Sequence, residues 1–499
     1  MRSHASVKNF IASNARVGIG AILSILLTPL IVKYVGDVEY GTFRVFIDVF
    51  SYFSLVDIGI YSSFIVVLNQ KLALNNSSST SRTFYVAKRF YKRVFSVALI
   101  IFFITSPLII YLVKTEELSQ SNIYISYLIL FFSLFNLLFK VHQGFLEANN
   151  ESSYISVGGI IQNLVFSLGS LAFSYYGFGL IGLSTSFVIS SLLPYLIYFL
   201  KVRKVISKVK VTKDEYKEEV KNVNKLTRAN FLVHLTGKFS LYSDTLIISF
   251  ILSPVSVTYY FISSRIITLA ATLPGAISSS SWAAMGEIYH SGDHVKFNEY
   301  VLKISRLILV SSLLFIAPLG FISRSFVNIW IGQKYYLGEF FVSIVIFNLF
   351  VQVLMNFWGW CLSTTHHLDR AIKMQYIGLV VNLTSSIVFT FYFDEVGPVL
   401  GTLLTNIFIN FPWLIYLMKV IYGISPFVLL RSIFQHFFIM IFLIYLYLKG
   451  QIIEVSIWGE LIGSSLLLGV VFLIVVYLVG MNRTEKKFYL DLVKRLIRR

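Results

Sequence analysis

The feature that most restricts how this chain folds is a succession of apolar runs, each about 20 residues long. Residues 94–113 and 457–480 are two examples. As a helix, a run of that length crosses a hydrocarbon core roughly 30 Å thick. The strands of a membrane barrel would instead alternate apolar and polar residues over segments of about 10 residues. The sequence therefore predicts an all-α polytopic membrane protein with about 14 transmembrane helices.

The composition excludes other classes of protein. Hydrophobic residues make up 56% of the sequence and charged residues 13%, which is incompatible with a soluble globular chain or a disordered one. The formal net charge of +18 would suit a nucleic-acid partner if the basic residues formed one patch. They lie instead at the predicted membrane edges, where anionic headgroups of membrane lipids attract them, so no nucleic-acid partner is expected. The single cysteine, Cys361, lies in an apolar run and is predicted to pack.

The distribution of Lys and Arg also predicts an orientation. When the N-terminus is placed inside, most of these residues fall on one face of the membrane, and both termini are then cytoplasmic. The linker and the tail are basic and amphipathic, which favours helices that lie on the membrane surface. The predicted organisation is an N-terminal six-helix bundle (1–200), a basic cytoplasmic linker (201–229), a C-terminal six-helix bundle (230–421), an additional transmembrane helix pair (422–480) and a basic amphipathic cytoplasmic tail (481–499).

The two predicted bundles resemble each other in sequence. Residues 194–202, PYLIYFLKV, align with residues 412–420, PWLIYLMKV, and at the same offset Gly179 aligns with Gly397. About six predicted spans separate equivalent points, so both halves enter the membrane from the same side, as parallel repeats do. Two matched bundles can rock about a site near the midplane. The repeat therefore favours a secondary transporter that works by alternating access.

Ionisable residues inside predicted spans are the candidate functional residues, because each costs about 2.5–3.5 kcal/mol on insertion scales and normally faces a cavity or a partner. These residues are Arg16, Asp48, Asp57, Lys238, Asp244 and Arg265. Asp48 and Asp57 are nine residues apart and point to opposite faces of a helix. We prefer Asp57, which lies deeper and beside Gly59.

Two alternatives stay open for these charges. Asp244 and Arg265 can pair across adjacent helices, because buried charges normally have partners. Arg16 and Arg44 can extend to the lipid headgroups. In both cases the residues would have structural roles and would not line a cavity.

Several motifs carry a resemblance to a known family. They are SILLTPLIVKYVG at 24–36, EYGTF at 39–43, FSLVDIGI at 53–60 and DTLII at 244–248. The chain resembles bacterial polysaccharide and O-antigen flippases (Wzx-type), which belong to the multidrug/oligosaccharidyl-lipid/polysaccharide exporter superfamily. The resemblance covers the whole chain in topology. Its motifs are mostly structural, so they indicate the superfamily more strongly than the substrate.

The resemblance implies a substrate and a direction of transport. The expected substrate is an undecaprenyl-pyrophosphate-linked oligosaccharide, moved from the inner to the outer leaflet of the bacterial inner membrane for the synthesis of O-antigen, lipopolysaccharide, capsule or exopolysaccharide. The polysaccharide polymerase machinery is an expected partner. Helices thirteen and fourteen would shelter the lipid tail, as in similar flippases.

A charged headgroup cannot cross hydrocarbon without a polar cavity that offers cations. The residues predicted by position to form this cationic cavity are Arg16, Arg44, Lys238 and Arg265. Asp57 or Asp244 is predicted to couple transport to H⁺ or Na⁺ or to form a charge pair. Stacking of sugars on Trp358 or Trp360 is a further hypothesis.

Two other functions remain as alternatives. A cation-coupled multidrug exporter of the same superfamily is the first, although such exporters usually carry acidic residues in the first helix, and this chain has none there. A polytopic glycan polymerase or glycosyltransferase is the second, but the outward loops are too short for a large catalytic domain. The protein is therefore predicted not to be an enzyme. The sequence contains no phosphate-binding G-x-x-x-x-G-K-[ST] motif and no metal-ligand spacing around His366 and His367, so no cofactor or metal is expected.

Overall fold

In the computed structural model, every regular element of the described residues is a helix. The described residues are 2–53, 60–73, 77–113, 117–206, 212, 216–217, 220, 242–365, 367, 369–450, 452–480 and 486. The prediction of an all-α protein is therefore confirmed. Asp57, Lys238, most of the predicted linker and nearly all of the predicted tail lie outside this range.

Eleven helical stretches of the described chain are long and apolar enough to cross a membrane, which supports a multi-pass membrane protein. One of them, Arg370–Tyr422, is 53 residues long. A straight helix of that length would measure about 80 Å, more than twice the hydrocarbon thickness. It contains a 3₁₀ turn at Asp394–Val396, where the chain reverses. The exact number of 14 spans stays a prediction.

The chain divides into two compact units, Met1–Thr258 and Tyr259–Arg499. The predicted boundary in the linker stays a prediction. The helices of the first unit are α1 (Arg2–Val35), α2 (Asp37–Phe53), α3 (Ile60–Ala73), α4 (Ser77–Leu112), α5 (Gln120–Phe131), α6 (Asn136–Ala148), α7 (Ser152–Tyr175), α8 (Gly179–Val202) and α9 (Tyr242–Ile251).

The helices that follow belong to the second unit, except that α10 begins four residues before its boundary. They are α10 (Pro254–Ser280), α11 (Trp282–His290), α12 (His294–Phe315), α13 (Pro318–Trp330), α14 (Gly338–Thr364), α15 (Asp369–Phe393), α16 (Gly397–Thr405), α17 (Phe411–Tyr422), α18 (Pro426–Leu448) and α19 (Trp458–Val475). A π-helical turn, Asn406–Asn410, joins α16 to α17.

The aligned glycines of the two repeats have the same structural position. Gly179 begins α8 and Gly397 begins α16, and each of these helices packs against the helix before it. The packing is close: a Cβ atom on Gly397 would lie 2.2 Å from the backbone nitrogen of Thr390, and one on Gly182 would lie 2.6 Å from Cβ of Phe173. Only glycine permits these approaches. The sequence repeat therefore corresponds to a repeated helical hairpin.

Helix α14 forms the centre of the second unit. The side chains of Phe350, Phe357 and Trp358 on this helix are 0% exposed. Burial of aromatic side chains of this size contributes a large share of the packing energy of a bundle. This helix is therefore a rigid element against which the neighbouring helices are positioned.

A short extended segment ties the C-terminal helix pair to the rest of the second unit. This segment, residues 452–457, precedes α19, and we call it the strap. The amide of Ile453 donates to the carbonyl of Phe321 at 2.9 Å. The hydroxyl of Ser325 donates to the carbonyl of Ile453 at 2.8 Å and accepts from the amide of Val455 at 3.1 Å. Arg324 adds an ion pair with Glu454 at 3.1 Å.

Candidate functional site

The predicted site residues that are described lie on three helices of the first unit and one of the second. Arg16 is on α1, Arg44 on α2 and Asp244 on α9, whereas Arg265 is on α10 beyond the unit boundary. Asp57 and Lys238 are outside the described residues, so their predicted roles stay predictions.

Arg16 lies against the glycine-rich face of α7. A Cβ atom on Gly159 would lie 2.2 Å from Cδ of Arg16, so the arginine stem occupies the space that a larger residue would fill. The side-chain amide of Asn163 donates to the carbonyl of Arg16 at 3.3 Å. The residue as a whole is exposed. Its stem is thus fixed by α7, while its charged end remains accessible.

Arg44 lies on the same helix as an acidic residue that sequence analysis set aside. Arg44, Asp48 and Tyr52 are four residues apart on α2, so they share one face. Asp48 is only 6% exposed and accepts a hydrogen bond of 2.7 Å from the hydroxyl of Thr245 on α9. Asp48 is therefore held by a partner on another helix, a contact that its position in the sequence does not reveal.

Asp244 belongs to the same polar group. The rings of Tyr52 and Tyr242 are 5.8 Å apart, and Tyr52 lies within electrostatic range of both Asp48 and Asp244. We call Asp48, Tyr52, Tyr242, Asp244 and Thr245 the acidic cluster. Two acidic residues in one polar group inside a bundle can bind a proton or another cation between them. The four-residue spacing of Arg44, Asp48 and Tyr52 was the sequence signal for this group.

Arg265 begins a polar face on α10. Its guanidinium carbon lies 5.1 Å from the ring centroid of Phe261, in cation–π geometry. Thr268, Thr272 and Ser279 follow on the same side of the helix, and all three are exposed. This α10 polar face extends from Arg265 to Ser279, or about 21 Å along the axis. It lies in a stretch, Pro254–His290, that is otherwise apolar enough to span a membrane.

The hydroxyls of this face are satisfied locally. Thr268 donates to the carbonyl of Arg265 at 2.8 Å, Thr272 to that of Leu269 at 2.6 Å and Ser279 to that of Ala276 at 3.2 Å. Each hydroxyl keeps acceptor lone pairs after such a bond. The free-energy cost of placing this face in a membrane is therefore small, and its hydroxyls still present acceptors to water or to a polar ligand.

The two tryptophans predicted to stack on sugars differ completely in exposure. Trp358 is 0% exposed, its indole N–H donates to Ser305 at 2.9 Å, and its ring stacks on Phe411 at a centroid distance of 5.4 Å. The hypothesis that sugars stack on Trp358 is therefore wrong. Residues two positions apart lie on nearly opposite sides of a helix, and the side that carries Trp358 faces the core. Trp360 is 41% exposed and remains available.

An apolar groove runs between α12–α13 and the C-terminal helix α19. It consists of two adjoining cavities of about 320 and 400 Å³ that share Ile322, Ser465 and Leu466. The other lining residues are Ile266, Leu314, Phe315, Pro318, Leu319, Phe326, Trp458, Leu461, Ile462, Leu468, Gly469, Val470 and Leu473. Nearly all of them are apolar, so the groove suits a hydrocarbon chain.

Comparisons with known proteins place the fold among transporters. No family model matches the chain, and no curated protein matches it in sequence. The structure of the lipid II flippase MurJ in an inward closed conformation is similar, with a TM-score of 0.71 and 16% identity over 94% of this chain and 99% of that chain. An inward-facing MATE multidrug resistance transporter of the MOP superfamily gives a TM-score of 0.64 and 14% identity over 83% of this chain and 99% of that chain. At these identities the matches show the fold, which this chain shares with both transporters.

Proposed function

We propose that this protein is a flippase that moves undecaprenyl-pyrophosphate-linked oligosaccharide repeat units from the inner to the outer leaflet of the bacterial inner membrane. It acts by alternating access, with both termini in the cytoplasm, in the synthesis of O-antigen, capsule or exopolysaccharide. The observation that carries this proposal is the α10 polar face, which places Arg265 and three exposed hydroxyl residues along an apolar spanning helix. Such a face has a use only if it meets water or a polar substrate.

Two parts of the proposed substrate have chemically matching groups in this chain. The pyrophosphate requires cations, and Arg16, Arg44, Lys238 and Arg265 supply them. The polyprenyl tail requires an apolar groove, and the groove along α19 has that character. The MurJ structure supports this assignment, since a flippase shares the fold over 94% of this chain.

The acidic cluster is our candidate for ion coupling. Asp48 and Asp244 lie on different helices, so binding of H⁺ or Na⁺ between them changes the energy of the α2–α9 contact. The coupling role of Asp57 stays a prediction from the sequence. Replacing Asp48 with Asn removes one charge while it leaves an acceptor for Thr245, so transport becomes independent of the ion gradient if the cluster is the coupling site.

Translocation in proteoliposomes tests the main proposal. Fluorescent undecaprenyl-pyrophosphate-linked repeat units are incorporated, and the fraction that a membrane-impermeant reagent reaches is followed with time. The wild-type protein should accelerate translocation, and Arg265→Ala should abolish most of it. Lys303→Ala is the matched control, because Lys303 is exposed and contacts the carboxylate of Glu299 and the ring of Tyr300 on its own helix, α12. An absence of translocation by active wild-type protein would refute the proposal.

A multidrug exporter is the second candidate, because MATE transporters share the fold and the acidic cluster could attract a cationic drug. Deletion of the gene separates the two functions. Loss of a drug exporter increases sensitivity to cationic compounds, whereas loss of the flippase leaves the lipid-linked unit on the cytoplasmic leaflet. Loss of a glycan polymerase, the remaining alternative, would instead accumulate single units outside. The two solved structures compared above are transporters, which favours transport over catalysis.

A further inference from the structure

Helix α14 carries a second polar face, on which only Trp360 has a role predicted from the sequence. Gln352, Asn356 and Trp360 recur every four residues, so they lie on one side of the helix. Asn356 and Trp360 are exposed and Gln352 is partly exposed. A Cβ atom on Gly359, the neighbour of Trp360, would meet no atom within 4 Å, which shows open space on this side. The opposite side of the helix is the packed core of the second unit.

Among the described residues, no group hydrogen-bonds the two amides on this face, those of Gln352 and Asn356. An unpaired amide in hydrocarbon costs roughly 2–7 kcal/mol, and the fully apolar end of that range applies to lipid tails. Two such amides on a spanning helix would strongly disfavour a lipid-facing position. The face must therefore meet water or a ligand with hydrogen-bonding groups.

Helix α10, which carries the α10 polar face, lies against helix α14. The hydroxyl of Ser278 on α10 donates to the carbonyl of Val353 on α14 at 3.1 Å, so the two helices are in direct contact. Near the end of α14 the indoles of Trp282 and Trp360 form an edge-to-face pair with centroids 6.4 Å apart. They are 45% and 41% exposed. We call the exposed hydroxyls of α10, the two amides of α14 and this pair of accessible aromatic rings the strip.

The strip carries no formal charge beyond Arg265. Neither residues 266–282 nor residues 340–365 contain Asp, Glu, Lys or Arg. A cationic ligand would find no counter-ion here, and a pyrophosphate would find no cation. A sugar has the complementary chemistry, because its hydroxyls both donate and accept, as amides do, and its ring carbons present an apolar face to aromatic rings.

We propose that this strip binds the glycan of the lipid-linked substrate, with Gln352 and Asn356 hydrogen-bonded to sugar hydroxyls and Trp282 and Trp360 against sugar rings. The inference rests on the proposed function and extends it by separating two subsites. Arg265, at one end of the strip, contacts the pyrophosphate, and the neutral residues contact the sugars. The rival explanation is that the two tryptophans belong to an interfacial aromatic belt that faces lipid.

Cysteine labelling decides whether the strip meets water, and it needs no knowledge of the substrate. Asn356→Cys and Ile377→Cys are compared in nanodiscs with a charged, water-soluble methanethiosulfonate. Ile377 is the matched control: it is 41% exposed, and like Asn356 it lies eight residues from its end of a neighbouring helix, α15. The native Cys361 is 1% exposed and supplies the background.

The variant Asn356→Cys should react at least about tenfold faster than Ile377→Cys, because the reactive thiolate forms in water and not in hydrocarbon. Equal and slow reaction of the two variants would place the strip against lipid and overturn the inference. This result is independent of any transport activity.

Binding to two lipids then tests the identity of the ligand. The probes are bare undecaprenyl pyrophosphate and the lipid-linked repeat unit purified from the cells that naturally make this protein. Trp282→Ala and Trp360→Ala should each weaken binding of the glycan-bearing lipid by up to about tenfold and leave binding of the bare lipid unchanged. Trp360→Phe should restore part of the affinity, and Arg265→Ala should weaken binding of both lipids. Tyr392→Ala is the control. It removes an aromatic side chain of α15 that is 78% exposed, and it should leave the binding of both lipids unchanged.

The outcomes separate the inference from the proposed function. If the wild-type protein binds both lipids equally and the tryptophan variants behave like wild type, the strip does not bind sugar, although flipping of the lipid stands. If the wild-type protein neither binds nor translocates either lipid, the proposed function fails, and the glycan subsite fails with it. Selective loss of binding to the glycan-bearing lipid supports both.

Discussion

The strap offers a sharp test of which interactions stabilise the second unit. Two changes remove different contacts at the same place. Ser325→Ala deletes a hydroxyl that is bonded to both Ile453 and Val455, and Arg324→Ala deletes the ion pair with Glu454. We expect Ser325→Ala to loosen the strap more, although it removes one atom and no charge.

The exposure of these side chains explains why we expect the larger effect from Ser325→Ala. Ser325 is only 4% exposed, so the loss of two hydrogen bonds at about 1 kcal/mol each costs roughly 2 kcal/mol in total. The side chains of Arg324 and Glu454 are 38% and 70% exposed, and ion pairs of that exposure contribute about 0–1 kcal/mol and are screened by salt. A second glutamate, Glu339, lies 3.8 Å from Arg324, which is too long to add much.

Hydrogen–deuterium exchange in nanodiscs measures the difference. Local opening of the strap exposes the amide of Ile453, which is bonded to Phe321 in the closed state. A cost of about 2 kcal/mol predicts roughly 30-fold faster exchange in Ser325→Ala, and a cost below about 1 kcal/mol predicts less than about fivefold in Arg324→Ala. Ser432→Ala is the control, because that hydroxyl bonds only within α18, to Leu429 at 2.7 Å. An effect of Arg324→Ala equal to or larger than that of Ser325→Ala would refute the reasoning.

Three further predictions follow from individual contacts. Trp358→Ala should cost about 3–5 kcal/mol by creating a core cavity, whereas Trp360→Ala at 41% exposure should change the melting temperature in detergent only slightly. Gly159→Ala should displace the Arg16 stem and lower translocation about as far as Arg16→Ala, while a gain of about 1 kcal/mol in helix propensity keeps the melting temperature close to wild type. Burial raises the pKa of Glu39 in the first turn of α2, so the free energy of unfolding falls as the pH rises above its ordinary pKa of 4.5, and melting curves of Glu39→Gln should lack this slope.

The sequence alone determined the class of this protein and much of its layout. Apolar runs of about 20 residues permit helices in a membrane and little else, because every backbone amide must be bonded within the chain. The repeat was also readable, since Gly179 and Gly397 occupy equivalent starts of α8 and α16. These inferences depend on interactions that are local in sequence.

The site depended on the tertiary structure, because its contacts join residues that are far apart in the chain. Asp48 was set aside on the basis of its helix rotation, yet Thr245, 197 positions later, holds it at 2.7 Å. Trp358 and Trp360 are the same residue type in the same apolar run, and the packing of the bundle decides that the first is 0% exposed and the second 41% exposed. The sequence shows the spacing of the α14 face, with Gln352, Asn356 and Trp360 at every fourth position. It does not show whether this face turns towards the core of the bundle or away from it. Hydropathy fixes which segments enter the membrane, whereas the side that each helix turns to its neighbours follows from the close packing of side chains in the folded bundle.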